Sequence, residues 1–263
     1  MKKGYPYKSL IFILLNSTFL FAQFDDEMKT ERPNKTNSAT VMQPWGLQLE
    51  AGLRDSEKGG TDAAILIRAG ISENFELRLG WFGARENPNI SIGTKIELLD
   101  ETSWLPQTGL IIDILHSRIG KFHPLRKEKT FASYLFSSYY NLPFDLSLGF
   151  NFGADDFTNL HLLKYSGNLG ISILPGLNAF IETFGNQNFK LVYDGGLIIN
   201  YDIENYINDH LKFAANRNFD HNVSYGITYQ LNENNQIDLS VIQGLTDENY
   251  KYISLGYSIR FLL

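Results

Sequence analysis

Twelve charged residues along the chain recur at one parity of alternating segments: Glu50, Arg68, Glu76, Arg78, Lys95, Glu97, Asp113, Lys164, Glu182, Asp194, Asp238 and Arg260. Acids and bases brought together on one confined face can do two things. They can pair and fill an enclosed space, since buried charges must be paired, or they can line a path that selects solutes by charge. Glu50, Arg78, Glu182 and Arg260 are the first choices for such a path. Ahead of them, Glu31, Arg32 and Pro33 stand in a polar stretch and could reach the same charges, with Pro33 holding the chain extended.

Covalent chemistry has less to work with. Asp113, His116, Ser117 and His123 fall near one segment end, and an acid, a histidine and a serine are the parts of a hydrolase site when they converge. His161, His210 and His221 fall near other ends, where a solvated histidine is the ordinary reading. No HExxH, phosphate-binding loop or dinucleotide fingerprint is present. Asp155-Asp156 and Asp247-Glu248 lack the ligand density of a dedicated calcium site. There is no cysteine, so thiolate metal sites, disulfides and cysteine nucleophiles are excluded. The expectation is a protein without enzymatic activity, metal or cofactor.

The elements that must position these charges are strands. From Trp45 onward the period is two. Leu47, Leu49, Ala51 and Leu53 alternate with Gly46, Gln48, Glu50 and Gly52. Phe75, Leu77, Leu79 and Trp81 alternate with Glu76, Arg78 and Gly80, and the same pattern returns in Ile90–Leu99, Phe144–Gly153 and Tyr250–Leu263. Alternation alone suits a soluble sandwich as well as a barrel. Strands of about 9 to 11 residues, and connections that alternate short and long, favour a closed antiparallel up-and-down transmembrane β-barrel. About fourteen strands are expected, or twelve if the weakest segment, Ile207–Ala215, drops out with its hairpin. Trp45, Trp81, Trp104, Tyr139, Tyr140, Tyr201, Tyr229, Tyr257 and Phe261 are candidates for two interfacial aromatic girdles.

The 263 residues divide into three parts. Residues 1–22 read as a signal peptide: Lys2, Lys3 and Lys8 precede an apolar stretch, Leu10–Phe21, too short to span a bilayer. Residues 23–44 form an irregular segment that is either a periplasmic leader or a plug in the lumen. Residues 45–263 form the barrel. The net charge is −6, and loss of the three leader lysines would leave −9, which argues against a nucleic-acid partner. The basic run Lys121–Lys129 reads as a solvated loop.

The segment TERPNKT (Thr30–Thr36) followed by PWGLQLEAGL (Pro44–Leu53) resembles the opening of the outer-membrane transporters of the phenol-degradation meta pathway, with their T-(D/E)-R-P-x-x-T motif. ENFELRLGW (Glu73–Trp81), TKIELLDE (Thr94–Glu101), LPQTGLIIDI (Leu105–Ile114), FIETFG (Phe180–Gly185), QIDLSVIQGL (Gln236–Leu245) and ISLGYSIRF (Ile253–Phe261) follow in that family's order. Phe189–Asn222 departs from it by an extra hairpin. The resemblance implies an integral outer-membrane barrel of a Gram-negative bacterium that passes or binds small, often aromatic or hydrophobic, compounds. Both termini would be periplasmic. The partners implied are outer-membrane lipid, an unspecified small solute and, during biogenesis, the barrel-assembly machinery. A structural or adhesive barrel with a filled lumen, and more remotely a lipid hydrolase, are the competing readings.

Overall fold

A computed structural model describes residues 28–32, 35–56, 60–83, 89–118, 128–155, 162–188, 219–246 and 251–263. The alternating segments form twelve strands: β1 (Gly46–Ser56), β2 (Gly60–Ser72), β3 (Phe75–Gly83), β4 (Asn89–Leu99), β5 (Gln107–Arg118), β6 (Glu128–Leu142), β7 (Leu146–Asp155), β8 (Leu162–Leu174), β9 (Leu177–Asn188), β10 (Phe219–Asn232), β11 (Asn235–Gly244) and β12 (Lys251–Leu262). Each pairs antiparallel with its sequence neighbours, and β1 pairs with β12 from Gly46↔Leu262 to Asp55↔Ile253, which closes the barrel. Closure leaves no strand edge with unpaired backbone groups.

Of the twelve or fourteen strands expected, the barrel has twelve. β9 and β10 pair directly, from Phe219↔Gln187 to Tyr229↔Leu177, so no free edge remains between them for another hairpin. The segment read as that hairpin, with Asp194, Tyr201, His210 and Gly195-Gly196, lies outside the described residues.

Turns of a few residues gather at one rim, called here the turn rim; the ends of β1 and β2 that meet at Ser56↔Gly60 mark the opposite, loop rim. Four register shifts, at Gly70/Ser72, Glu97/Leu99, Ser172/Leu174 and Gln230/Asn232, all sit at the turn rim. Exposed aromatics crown it: Trp104 and Phe144 on turns, and Trp45 at the entry to β1. Tyr139 was expected in a girdle and is a correction. It shares parity with Ser137 and faces inward, where the Lys29 ammonium lies 5.3 Å from its ring centroid.

The two faces of the wall are the reverse of a soluble protein. Leu79, Ile92, Phe150, Leu169, Ile227 and Leu255 lie outside and are exposed. The buried face holds Gln48, Glu50, Glu76, Lys95, Glu182 and Arg260. In β4 the change occurs residue by residue: Ile92 is 61% exposed, Ser91 5% and Lys95 0%. β-branched and aromatic residues suit the outward pleat, and the inward parity is left to polar groups and glycine. No helix among the described residues is long and apolar enough to cross a membrane; in this architecture strands would do so.

Candidate functional site

The lumen is not empty. The described residues between Met28 and Pro44 run through it without regular secondary structure. A chain in that state carries backbone donors and acceptors that must find partners, and the barrel wall supplies them. Glu50 on β1 accepts from the backbone N–H groups of Glu31 (3.0 Å) and Arg32 (3.1 Å). Glu182 on β9 does the same for Lys35 (2.8 Å) and Thr36. In both places one carboxylate is clasped by two successive N–H groups, a concave anion site made by the main chain. Glu76 accepts from Met42 N–H at 2.7 Å. Asn151 accepts from Asn37 N–H at 2.6 Å and returns its amide to the Asn37 carbonyl at 2.9 Å.

Wall cations take the carbonyls. Arg68 on β2 donates to Lys29 O (2.9 Å) and Thr40 O (3.1 Å). Lys95 on β4 donates to Ser38 O (2.9 Å) and Thr40 O (3.2 Å). Gln48 donates to Lys29 O at 2.9 Å.

At the centre the charges balance. Arg68 and Arg78 are direct cross-strand neighbours, an arrangement that destabilises when uncompensated. Glu76 compensates both, at 2.7 Å from Arg68 and 3.4 Å from Arg78, and Glu50 lies 3.4 Å from Arg68. The wall therefore offers three cations here, Arg68, Arg78 and Lys95, against two acids. Glu31, from the lumenal segment, is the third acid: it contacts Lys95 and stands 3.7 Å from Arg68 and 3.6 Å from Arg78. Burial alone would raise its carboxyl, but Lys95, then Arg78 and Arg68, more than offset that and hold it below the ordinary carboxylate value. Glu31 thus remains ionised and completes a neutral cluster.

Two glycines show how closely wall and segment fit. A Cβ on Gly70 would lie 1.9 Å from the Gln43 carbonyl oxygen, and one on Gly52 would lie 2.0 Å from the Arg32 guanidinium. At Gly70 the clash is with main chain, so only glycine admits the segment there; at Gly52 it is with the far end of a flexible side chain, which a Cβ would displace from its place against the wall.

The remaining candidates spread along the lumen. Glu97 is half-buried and accepts from the Gln107 amide at 2.6 Å. Asp113 lines the cavity on the loop side. Arg260 is buried near the turn rim and donates to Glu233 O at 3.0 Å, away from the central cluster. Arg32 lies 3.7 Å from Asp238 and donates to Ser254 at 2.9 Å. Lys164 pairs with Asp155. Pro33 lies outside the described residues.

Asp113 and His116 fall on opposite faces of β5, because three residues is an odd step in a strand. His116 meets Thr130 at 2.9 Å instead, so Asp113 and His116 do not converge; the Ser117 side chain and His123 lie outside the described residues. Among the described residues no group of histidines and acids could hold a metal. Sequence reasoning passed over Gln48, Gln107 and Asn151, which share the inward parity of the charges and bond the segment as they do.

Water-sized space remains on both sides of the segment. A cavity of about 420 Å³ lies toward the turn rim, among Tyr139, Asn141, Ser147, Asn168, Asn178 and Gln236. One of about 430 Å³ lies toward the loop rim. Arg32 and Asn37 line both, so the segment stands between them.

No family model matches the chain, and no curated protein matches it. Solved structures do. The KdgM porin superposes with a TM-score of 0.51 at 10% identity, over 81% of this chain and 98% of that one. The same porin in complex with disordered oligogalacturonate gives 0.52 at 9% identity over 81% and 98%. The COG4313 outer membrane channel from Pseudomonas putida F1 gives 0.52 at 9% identity, over 85% of this chain and 98% of that one. At such identities the likeness is one of fold, and the fold that this chain shares is the closed barrel of outer-membrane channels.

Proposed function

We propose that this chain is an integral outer-membrane channel of a Gram-negative bacterium, through which small solutes pass down their gradient. In this reading residues 1–22 are an export signal and the turn rim faces the periplasm with both ends of the barrel. The lumenal segment is a plug that narrows the path. The observation that carries the proposal is the inverted wall, apolar outside and charged inside, with a water-sized space on each side of the segment. The TERPNKT opening supports a relationship to the meta-pathway transporters, and so to aromatic or hydrophobic solutes.

The test is single-channel conductance of the folded chain in a planar bilayer. Discrete, stable conductance steps are the expected result. Silence from protein shown to be folded would overturn the aqueous channel and favour the second reading, a structural barrel. The charge balance of the central cluster, three cations against three acids, is the specific observation on that side.

The lipid-facing assignment has its own test. Leu79 is exposed on the outer face of β3. Arginine at a lipid-facing position near the bilayer midplane costs about 2–4 kcal/mol. Leu79→Arg should lower the stability of the vesicle-embedded barrel, read by denaturant titration, by an amount of that order. A change within a few tenths would place this face in water.

A further inference from the structure

The two lumenal cavities differ in chemistry. The turn-side cavity has two cationic side chains, Lys29 and Arg32, among asparagine, serine and threonine, with Met28, Leu142, Leu146 and Phe180 also in its lining. The loop-side cavity gathers five cationic side chains, Arg32, Lys35, Arg54, Arg78 and Lys164, against three acidic ones, Glu31, Asp113 and Asp220. Glu31 and Arg78 are already committed to the central cluster and Lys164 pairs with Asp155, which leaves Arg32, Lys35 and Arg54 against Asp113 and Asp220. The cations are incompletely satisfied. Arg54 reaches its acid, Asp62, only at 3.8 Å. The Nε–H groups of Arg32, Arg54 and Arg78 are buried and have no hydrogen-bond partner among the described residues. Lys35 is held at Glu182 through its backbone N–H, and its ammonium makes no ion pair there. Enclosure in the barrel, and next the Arg54 guanidinium, push that ammonium down to about 7, with Lys164 and Arg32 adding to the repulsion and Glu182 opposing it. Since the Lys35 side chain reaches lumenal water, the crowding of like charges is the part of this shift that hydration leaves in place.

The same cavity carries apolar side chains on the inward parity: Leu66, Phe82, Ile111, Leu115, Leu135 and Phe184. A general aqueous pore gains nothing from six such residues beside a cation cluster. A solute with an anionic head and a hydrocarbon body would meet both. The volume suffices, since an apolar cavity of about 150 Å³ holds benzene.

We propose that the loop-side cavity is a binding site for small amphiphilic anions, such as a carboxylate or sulfonate on a single ring, with the head at Lys35 and Arg54 and the body against Phe82 and its apolar neighbours. This rests on the channel reading and names its solute class. Charge-assisted hydrogen bonds fix the head, and burial of the ring supplies the discrimination against small inorganic anions.

The experiment is calorimetric titration of the full chain, folded in a neutral detergent, with benzenesulfonate, methanesulfonate and benzyl alcohol. These probes have both features, the head alone and the ring alone. Benzenesulfonate should bind at least about tenfold more tightly than either of the others. Lys35→Gln combined with Arg54→Gln should weaken benzenesulfonate about tenfold, and Phe82→Ala should bring its affinity toward that of methanesulfonate. Lys35→Gln alone, in a segment outside the wall, guards against a double variant that fails to fold. Equal binding of benzenesulfonate and benzyl alcohol, absence of benzenesulfonate binding, or an affinity unchanged by Lys35→Gln would each overturn the proposal. Conductance of the same preparation separates the two readings: conductance without benzenesulfonate binding removes this site and leaves the channel, whereas binding without conductance leaves the site and removes the channel.

Discussion

Glu31→Gln should loosen the lumenal segment from the barrel wall without unfolding the barrel. The substitution leaves Arg68, Arg78 and Lys95 facing only Glu50 and Glu76. Breaking a buried ion pair from one side costs about 3–5 kcal/mol in a sealed core. The cavities on either side of the segment let water reach part of this cluster, so we expect a loss nearer 2 kcal/mol, still about a thirtyfold change in the docking equilibrium. Amide hydrogen exchange would read it at the N–H groups of Glu31, Arg32, Lys35, Thr36 and Met42, each now bonded to a wall carboxylate. Exchange should accelerate there and stay unchanged in the strands. Equal protection in variant and wild type would show that Glu31 does not hold the segment.

Acid should act in the same direction. The docked Glu31 carboxyl is held below its ordinary value of 4.5, so its contribution is fully present above that pH and is lost as the pH falls through the lower, docked value. Wild-type protection of the segment should therefore decline in the acid window below pH 4.5, and this component of the decline should be absent from Glu31→Gln.

Deleting residues 29–43 should raise single-channel conductance severalfold. The segment lies across the lumen between two cavities of about 420 and 430 Å³, and its removal would join them. The wall charges it now satisfies would be hydrated by the water that enters, and the barrel ladder is independent of the segment, because β1 still closes onto β12. The truncated chain should keep its strand content by circular dichroism. A truncated barrel that folds and conducts no better than the full chain would mean that the restriction lies elsewhere along the path.

Much of the wall was legible in the sequence because a strand's period is two. Once Leu47, Leu49 and Leu53 are taken as one face, Gln48, Glu50 and Gly52 must occupy the other, and the register follows strand by strand. The number of strands was harder to read. Ile207–Ala215 has enough apolar residues to suggest a strand, and nothing local reveals that β9 will pair with β10 across it. Tyr139 illustrates a second limit. Aromatics near strand ends are common in girdles, but parity outranks proximity, and Tyr139 has the parity of Ser137. The site shows the third limit. Parity puts Glu31's future partners on one wall but cannot pair them, since Glu31 meets Lys95 across 64 positions and Lys35 meets Glu182 across 147. The neutral contributors carried no signal beyond parity: Gln48 and Asn151 look like any polar residue on an inward face. Gly52 and Gly70 likewise show nothing in the sequence beyond their parity, and only the path of the segment shows what they make room for.

The segment passes into β1 without a linker: Trp45 N–H is bonded to Gly70 O at 3.0 Å, and Gly46 N–H to Gln43 O at 2.9 Å. The barrel is therefore covalently attached to its own ligand. A ligand on so short a tether faces its site at an effective concentration of about millimolar or above, whatever the dilution of the protein. Intrinsic contacts of modest strength would keep the lumen occupied, and the segment would rebind after each release without diffusing away. A solute that passes by displacing it competes with that local concentration. Flux should then be half-maximal only when external solute approaches its own dissociation constant multiplied by the ratio of docked to released segment, so the tether would shift the working range of the channel to higher solute concentrations.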